Sequence, residues 1–168
     1  MALHDDLLHQ ARMLARHEPR RPRQASLRRA VSAAYYALFH SLTREAADRW
    51  VTGDDREPLR RMLQRAFDHA IMAEACKEIA RQNGGKLAPA LPASGAQPEL
   101  LNVAEAFLDL QQARHEADYD LARMFARQEV LDLIVRAEDA IADRQTVRRT
   151  LPADVFRVAL LAKRGMCR

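Results

Sequence analysis

The stretch LRRAVSAAYYALFHSL, residues 27–42, decides how this chain folds. Its apolar side chains recur at intervals of three and four, which is the repeat of one face of an α-helix. The members of this apolar stripe are Leu27, Val31, Ala34, Leu38 and Leu42. We therefore expect an amphipathic helix here, buried along one side, within a helical pattern that covers about 24–50.

The composition extends the helical interpretation to the rest of the chain. Of 168 residues, 48% are apolar and 30% are charged, as in globular rather than disordered proteins. Five glycines, few aromatic residues and many Ala, Leu, Arg and Glu favour helix. No segment of useful length alternates as a strand does. The sequence predicts an all-α fold, an up-and-down bundle of about five helices.

Proline and glycine divide the helical pattern into segments. Helices are predicted over about 3–17, 24–50, 58–82 and 122–145, with another from Glu99, a short one after Pro152 and a loop over 83–98. We assign residues 1–146 to the helical bundle. Residues 147–168 are expected to be a C-terminal basic extension, with a short helix in it as one option.

Neither a membrane nor a metal is indicated. The longest apolar runs are a few residues, and the N-terminal MALHDDLLHQ has acids where a signal peptide has basic residues, so we expect a cytoplasmic protein without a membrane span. Cys76 and Cys167 have no CxxC partner, and no two histidines stand at i, i+4. We expect no metal and no cofactor. The net charge of +4 permits an anionic partner without demanding one.

A second stripe on the same helix carries polar groups. Arg29, Ser32, Tyr36 and His40 also recur at intervals of three and four, so they can line one side of a groove. The alternative is structural: Tyr35, Tyr36 and Phe39 would be aromatic core residues and His40 would form a hydrogen bond at their edge. The residues alone leave both interpretations open.

RHEADYD, residues 114–120, places an arginine on a face that should be buried. The apolar stripe of this helix consists of Leu100, Val103, Phe107, Leu110, Arg114, Ala117 and Leu121. A buried guanidinium needs a partner, and Asp118 at i+4 is the obvious one. The pair either stabilises a packing or dimer seam, or it holds Arg114 in a groove for a phosphate.

Together these two blocks resemble a bacterial branch of the HEPN domains. RRAVSAAYYALFH is similar to the signature helix of that branch, and ARHEADYD is similar to its second signature, in the same order. The resemblance covers about residues 5–145. It implies an up-and-down bundle that pairs as a two-fold dimer. Many members are metal-independent ribonucleases of toxin–antitoxin or defence systems, whereas others lack the catalytic motif and bind partners.

The resemblance implies that Arg114 is the arginine of an Arg-x4-His ribonuclease motif. In that motif the arginine stabilises phosphate charge, and the histidine serves in acid–base steps at the RNA 2′-OH. Here Tyr119 stands at the histidine position. A tyrosine, with a reference pKa near 10, is about one part in a thousand ionised at pH 7 and is a poor base. His115 is a candidate substitute, but it points about 100° away from Arg114 on a helix.

These observations lead to two hypotheses of function. The first is a homodimeric HEPN-like protein of a bacterial toxin–antitoxin or defence context that binds RNA or a nucleotide-linked partner. Its site would consist of Arg114, Asp118, Tyr119, His115, Arg29, Tyr36 and His40. Whether it cleaves RNA stays open, and the absent histidine favours weak or no cleavage. The second is a non-catalytic homodimeric module that holds a protein partner at the same seam. A nucleotidyltransferase or another antitoxin protein is a candidate partner, and an adjacent nucleotidyltransferase gene would favour the toxin–antitoxin context.

Overall fold

The computed structural model of the protein describes residues 2–162, and for residues 82 and 83 the backbone alone. This range contains no strand, which confirms the predicted all-α class. The α-helices, numbered in chain order, are α1 (Leu3–Arg16), α2 (Gln24–Trp50), α3 (Glu57–Gln64), α4 (His69–Ala80), α5 (Pro98–Tyr119), α6 (Arg127–Val147) and α7 (Leu151–Leu161). Two 3-10 helices, Asp54–Arg56 and Gln82–Ala90, lie between them. Among residues 2–162, no helix has both the length and the apolar character needed to cross a bilayer.

The predicted third helix, 58–82, is divided into α3 and α4. Asp68 begins α4, because its carboxylate accepts hydrogen bonds from the backbone N–H groups of Ala70 (2.8 Å) and Ile71 (3.1 Å). An aspartate ahead of an apolar helical segment is a recognisable start signal, so this break was visible in the sequence. The predicted loop over 83–98 is also partly helical, since its first part belongs to the 3-10 helix Gln82–Ala90.

The chain forms two compact units. Unit 1 consists of the residues up to Ser41 together with Ala106–Ala142, and unit 2 consists of Leu42–Glu105 together with the residues from Asp143 onward. Helices α2, α5 and α6 each contribute one part to each unit. The predicted boundary at residue 146 stays a prediction. The basic tail from Lys163, with Cys167, lies outside the described residues.

Unit 1 has an aromatic core. Tyr35 is fully buried, and its ring centroid lies 5.5 Å from that of Phe107 and 6.2 Å from that of Phe39. Burial of each such ring stabilises the fold by about 2–3 kcal/mol. The predicted apolar stripe is buried in this unit through Leu27, Val31, Ala34 and Leu38. Tyr35 and Phe39 are therefore core residues, whereas Tyr36 keeps part of its surface exposed.

The apolar stripe predicted for α5 ends earlier than expected. Ala117 is buried, but Leu121 is 87% exposed. The expectation for Leu121 was wrong because α5 ends at Tyr119, so the helical repeat no longer controls where the next side chain points. Arg114 lies on this stripe, and its side chain is only 22% exposed.

In unit 2, α4 packs against α7. The buried side chains of these two helices include Met72, Cys76, Ile79, Phe156 and Leu160. Helix α7 lies where a short helix was predicted after Pro152, and the Thr150 hydroxyl accepts a hydrogen bond from the backbone N–H of Ala153 at its start (3.4 Å).

We expect Cys76 to be chemically silent in the folded protein. It is fully buried, and burial raises the pKa of its thiol far above the ordinary value, so no reactive thiolate forms at pH 8. In a Cys167→Ser background, an aromatic disulfide reagent should label no thiol of the native protein and one thiol per chain in urea. Rapid labelling of the native protein would contradict the packing of α4 in unit 2.

Candidate functional site

An open groove of about 550 Å³ lies in unit 1, between the N-terminal half of α2 and the last turns of α5. One face of α2 lines it, because positions three and four apart on a helix point to the same side. The lining residues are Ala25, Arg28, Arg29, Ser32, Tyr36, Arg114, Ala117, Asp118 and Tyr119. Five of the seven predicted site residues are thus brought together, and the other two, His40 and His115, do not line the groove.

Arg114 is held on several sides. Its Nε lies 2.7 Å from Asp118 Oδ2, so the predicted i, i+4 ion pair forms. This Nε has no partner in hydrogen-bond geometry, so the contact is electrostatic rather than a directed hydrogen bond. The guanidinium carbon lies 5.9 Å and 5.7 Å from the ring centroids of Tyr35 and Tyr36, and Nη2 donates a hydrogen bond to the Tyr36 hydroxyl (3.4 Å). Arg114 is therefore oriented before any ligand arrives.

Asp118 connects the two helices of the groove. Besides pairing with Arg114, its Oδ1 accepts a hydrogen bond from the Ser32 hydroxyl of α2 (3.0 Å). The sequence placed Ser32 on the polar stripe but gave no sign of this contact, because the two residues are 86 positions apart. The Asp118 carboxylate thus has one oxygen on Ser32 and one on Arg114.

Arg28 donates hydrogen bonds to the backbone at the end of α5, and the sequence analysis did not predict this role. Its guanidinium donates hydrogen bonds to the backbone carbonyls of Ala117 (2.7 Å), Asp120 (2.9 Å) and Arg123 (2.5 Å). The last carbonyls of a helix have no partner inside the helix, so an arginine from another element can satisfy them. No local pattern reveals this role, since the acceptors lie 89 to 95 positions away.

Arg29, the next residue, has a different environment. It is exposed, it lines the groove, and within residues 2–162 its side chain forms no hydrogen bond or ion pair. A guanidinium with free N–H donors is well suited to bind a phosphate in bidentate geometry. Of two adjacent arginines, one completes a helix end and the other is available to a ligand.

The aromatic residues near the groove form two pairs. Tyr119 is 65% exposed, and its ring centroid lies 5.0 Å from that of the exposed His115. Tyr36 stacks on His40, with centroids 6.1 Å apart and planes inclined by 26°. Both imidazoles lie beside groove residues rather than in the lining. The groove lining therefore has guanidinium groups that can bind an anion and the two phenols of Tyr36 and Tyr119, and it has no imidazole.

Comparison of the chain with models of protein families, with curated proteins and with solved structures gave no match.

Proposed function

We propose that this chain is a HEPN-like protein of a bacterial toxin–antitoxin or defence context that binds RNA, or a nucleotide-linked partner, in the groove. The observation that carries the proposal is that a preoriented Arg114 on α5 and an Arg29 on α2 whose side chain is unpaired line the same groove. The groove lining has three guanidiniums and a single carboxylate, that of Asp118, so positive charge is in local excess. Such a site attracts a phosphodiester more strongly than a neutral ligand.

The arrangement favours binding over cleavage. Arg114 can stabilise phosphate charge, but the position five residues on is Tyr119, whose phenol is a weak base at neutral pH. Asp118 is the one carboxylate in the groove lining, and both of its oxygens already have partners. We infer a degenerate ribonuclease site, Arg-x4-Tyr, with residual or absent activity.

A second candidate function, a non-catalytic homodimeric module for a protein partner, is favoured by one observation. Tyr119, Leu121 and Met124 are 65%, 87% and 64% exposed within six positions of the chain. Exposed apolar side chains grouped in this way are common where another protein binds. A partner protein bound there would cover the rim of the groove.

Substitutions of the adjacent Arg28 and Arg29 should have different effects, one on stability and the other on RNA affinity. Arg28→Ala should lower the free energy of unfolding by about 2 kcal/mol, because several backbone carbonyls lose a charged donor. Arg29→Ala should change it by less than about 0.5 kcal/mol. The same Arg29→Ala substitution should weaken binding of a fluorescent single-stranded RNA about fivefold to tenfold and reduce the slope of log affinity against log salt by about 0.7. Urea unfolding and fluorescence anisotropy measure the two effects.

The controls decide between the two functions. Arg65→Ala removes an exposed arginine in unit 2 and should leave RNA affinity unchanged. If the unaltered protein binds no RNA, the first function is lost and the protein-binding module remains. Light scattering tests the proposed homodimer, because a monomer at micromolar concentration would exclude a groove completed by two copies.

A further inference from the structure

The segment between α1 and α2 has the sequence EPRRPR, residues 18–23, and we call it the basic loop. Hydrogen bonds from a side chain of α6 hold its backbone in place. The Arg127 guanidinium donates hydrogen bonds to the backbone carbonyls of Pro19 (2.9 Å) and Glu18. Its two prolines each restrict one backbone dihedral. The loop therefore has little conformational freedom left to lose when a ligand binds.

The only carboxylate in the basic loop, Glu18, forms hydrogen bonds within the loop and to the start of α2. Glu18 Oε1 accepts a hydrogen bond from the Ser26 hydroxyl (2.9 Å), and Oε2 accepts one from the backbone N–H of Arg23 (3.3 Å). The Glu18 side chain is 18% exposed, whereas that of Arg23 is 82% exposed and its Nε lies 4.0 Å away. Glu18 thus does little to neutralise the arginines of the loop at its surface.

The arginines of the loop face solvent. Arg20 and Arg21 are exposed and, within the described part of the chain, form no hydrogen bond or ion pair. Three guanidiniums in four positions repel one another, and no ion pair in residues 2–162 offsets the repulsion at Arg20 and Arg21. Clusters of this kind gain free energy when a polyanion releases its counterions on binding.

The basic loop leads directly into the groove. Helix α2 begins at Gln24, and its first residues facing the groove are Ala25, Arg28 and Arg29. The helical rise places Arg29 about 8 Å from the start of α2, and the three residues back to Arg21 add at most about 10 Å. Both lie in unit 1. A ligand bound at Arg29 therefore needs only a few further backbone units to reach the loop.

We propose that the basic loop is a second phosphate-binding element, so that the protein holds a single-stranded RNA of several nucleotides across the groove and the loop. This inference rests on the proposed function and names its substrate as an extended strand rather than a single nucleotide. The groove binds one end through Arg29 and Arg114. The loop binds the flanking backbone through Arg20, Arg21 and Arg23, without reading its sequence.

The test compares short and long RNA. Labelled oligouridylates of 3 and 12 nucleotides are titrated with the full chain at several salt concentrations. Replacing all three loop arginines (Arg20→Ser, Arg21→Ser, Arg23→Ser) should lower the affinity for the 12-mer about tenfold or more. It should also reduce the slope of log affinity against log salt for the 12-mer by about 2, at roughly 0.7 per lost contact. The 3-mer, which fills the groove alone, should keep its affinity within about twofold. The corresponding three arginine-to-lysine changes should retain most of the salt slope.

The control variant has the same net charge. Arg65→Ser, Arg148→Ser and Arg149→Ser remove three exposed arginines of unit 2, and this variant should bind both RNAs as the unaltered protein does. If it loses as much 12-mer affinity as the loop variant, the effect is one of net charge and the inference is wrong. Equal weakening of the 3-mer and the 12-mer by the loop variant also overturns it. In both cases the proposed function stands.

Two other outcomes are decisive. If the unaltered protein binds neither RNA, the proposed function and this inference fail together. If the loop variant binds RNA normally but loses binding to vesicles of anionic phospholipid, the loop serves a membrane surface and the RNA inference is overturned. Thermal unfolding of each variant should stay within about 2 °C of the parent, since the replaced side chains are exposed.

Discussion

The substitution Tyr119→His is expected to raise the rate of metal-independent cleavage of single-stranded RNA by about 100-fold over that of the unaltered protein. The substitution restores an Arg-x4-His spacing with Arg114, and the new imidazole has an ordinary pKa near 6.5, which suits proton transfer at neutral pH. Tyr119 lines the groove and is 65% exposed, so a smaller ring fits without disturbing the core. Gel analysis of labelled RNA in the presence of a chelator measures the gain.

Two matched variants identify the source of any activity. Tyr119→Phe removes the phenol without adding a base, so it should not gain cleavage. Adding Arg114→Ala to Tyr119→His should abolish the gain, because the phosphate then loses the guanidinium that orients it. If Tyr119→His binds RNA with unchanged affinity and still does not cleave it, the groove is a binding site and not a degenerate ribonuclease site.

Glu45→Ala is expected to lower the free energy of unfolding by about 3–5 kcal/mol. Glu45 lies in unit 2 with its side chain 15% exposed, between two arginines that share it. Arg157, 5% exposed, donates hydrogen bonds from Nε (2.9 Å) and Nη2 (2.5 Å) to Glu45 Oε1, and Arg144 contacts Oε2. Removal of this carboxylate leaves two buried guanidiniums without their common counter-charge.

Positive charge is already in excess around Arg144, because other arginines lie near it. Burial, and then the charges of Arg157 and Arg148, lower the pKa of Arg144 to about 10. The nearby Glu45 acts in the opposite direction, since a negative charge favours the protonated guanidinium. Asp154 accepts a further hydrogen bond from Arg157 (2.5 Å) but is also paired with Arg49, so it cannot replace Glu45.

Urea unfolding followed by circular dichroism measures the effect of Glu45→Ala. The control is Lys77→Ala, which breaks an exposed pair with Glu74 (3.1 Å, side chains 54% and 44% exposed) and should cost less than about 1 kcal/mol. Equal losses for the two variants would mean that the Glu45 cluster is solvated and contributes no more than a surface pair.

Short-range patterns predicted most of the helices and one important contact. The repeat of 3.6 residues identified the buried stripe of α2, and the same repeat identified Asp118 as the partner of Arg114. It failed where the helix itself stopped, as at Leu121, and it did not predict the break between α3 and α4, which Asp68 marks. These successes and failures have one cause: each depends on residues within about two helical turns.

Contacts between distant parts of the chain were decided by the tertiary structure alone. Helix periodicity placed Arg29 on the polar stripe, but nothing local in the sequence indicated that the adjacent Arg28 reaches the carbonyls at the end of α5. Glu45 looks like an ordinary surface acid until α6 and α7 bring Arg144 and Arg157 against it. The sequence by itself determined the all-α class, the buried stripe of α2 and most of the buried stripe of α5, because helix periodicity is local. Only the folded chain decided which charges are neutralised and which stay available, because electrostatic pairing depends on distance in space and not on distance along the chain.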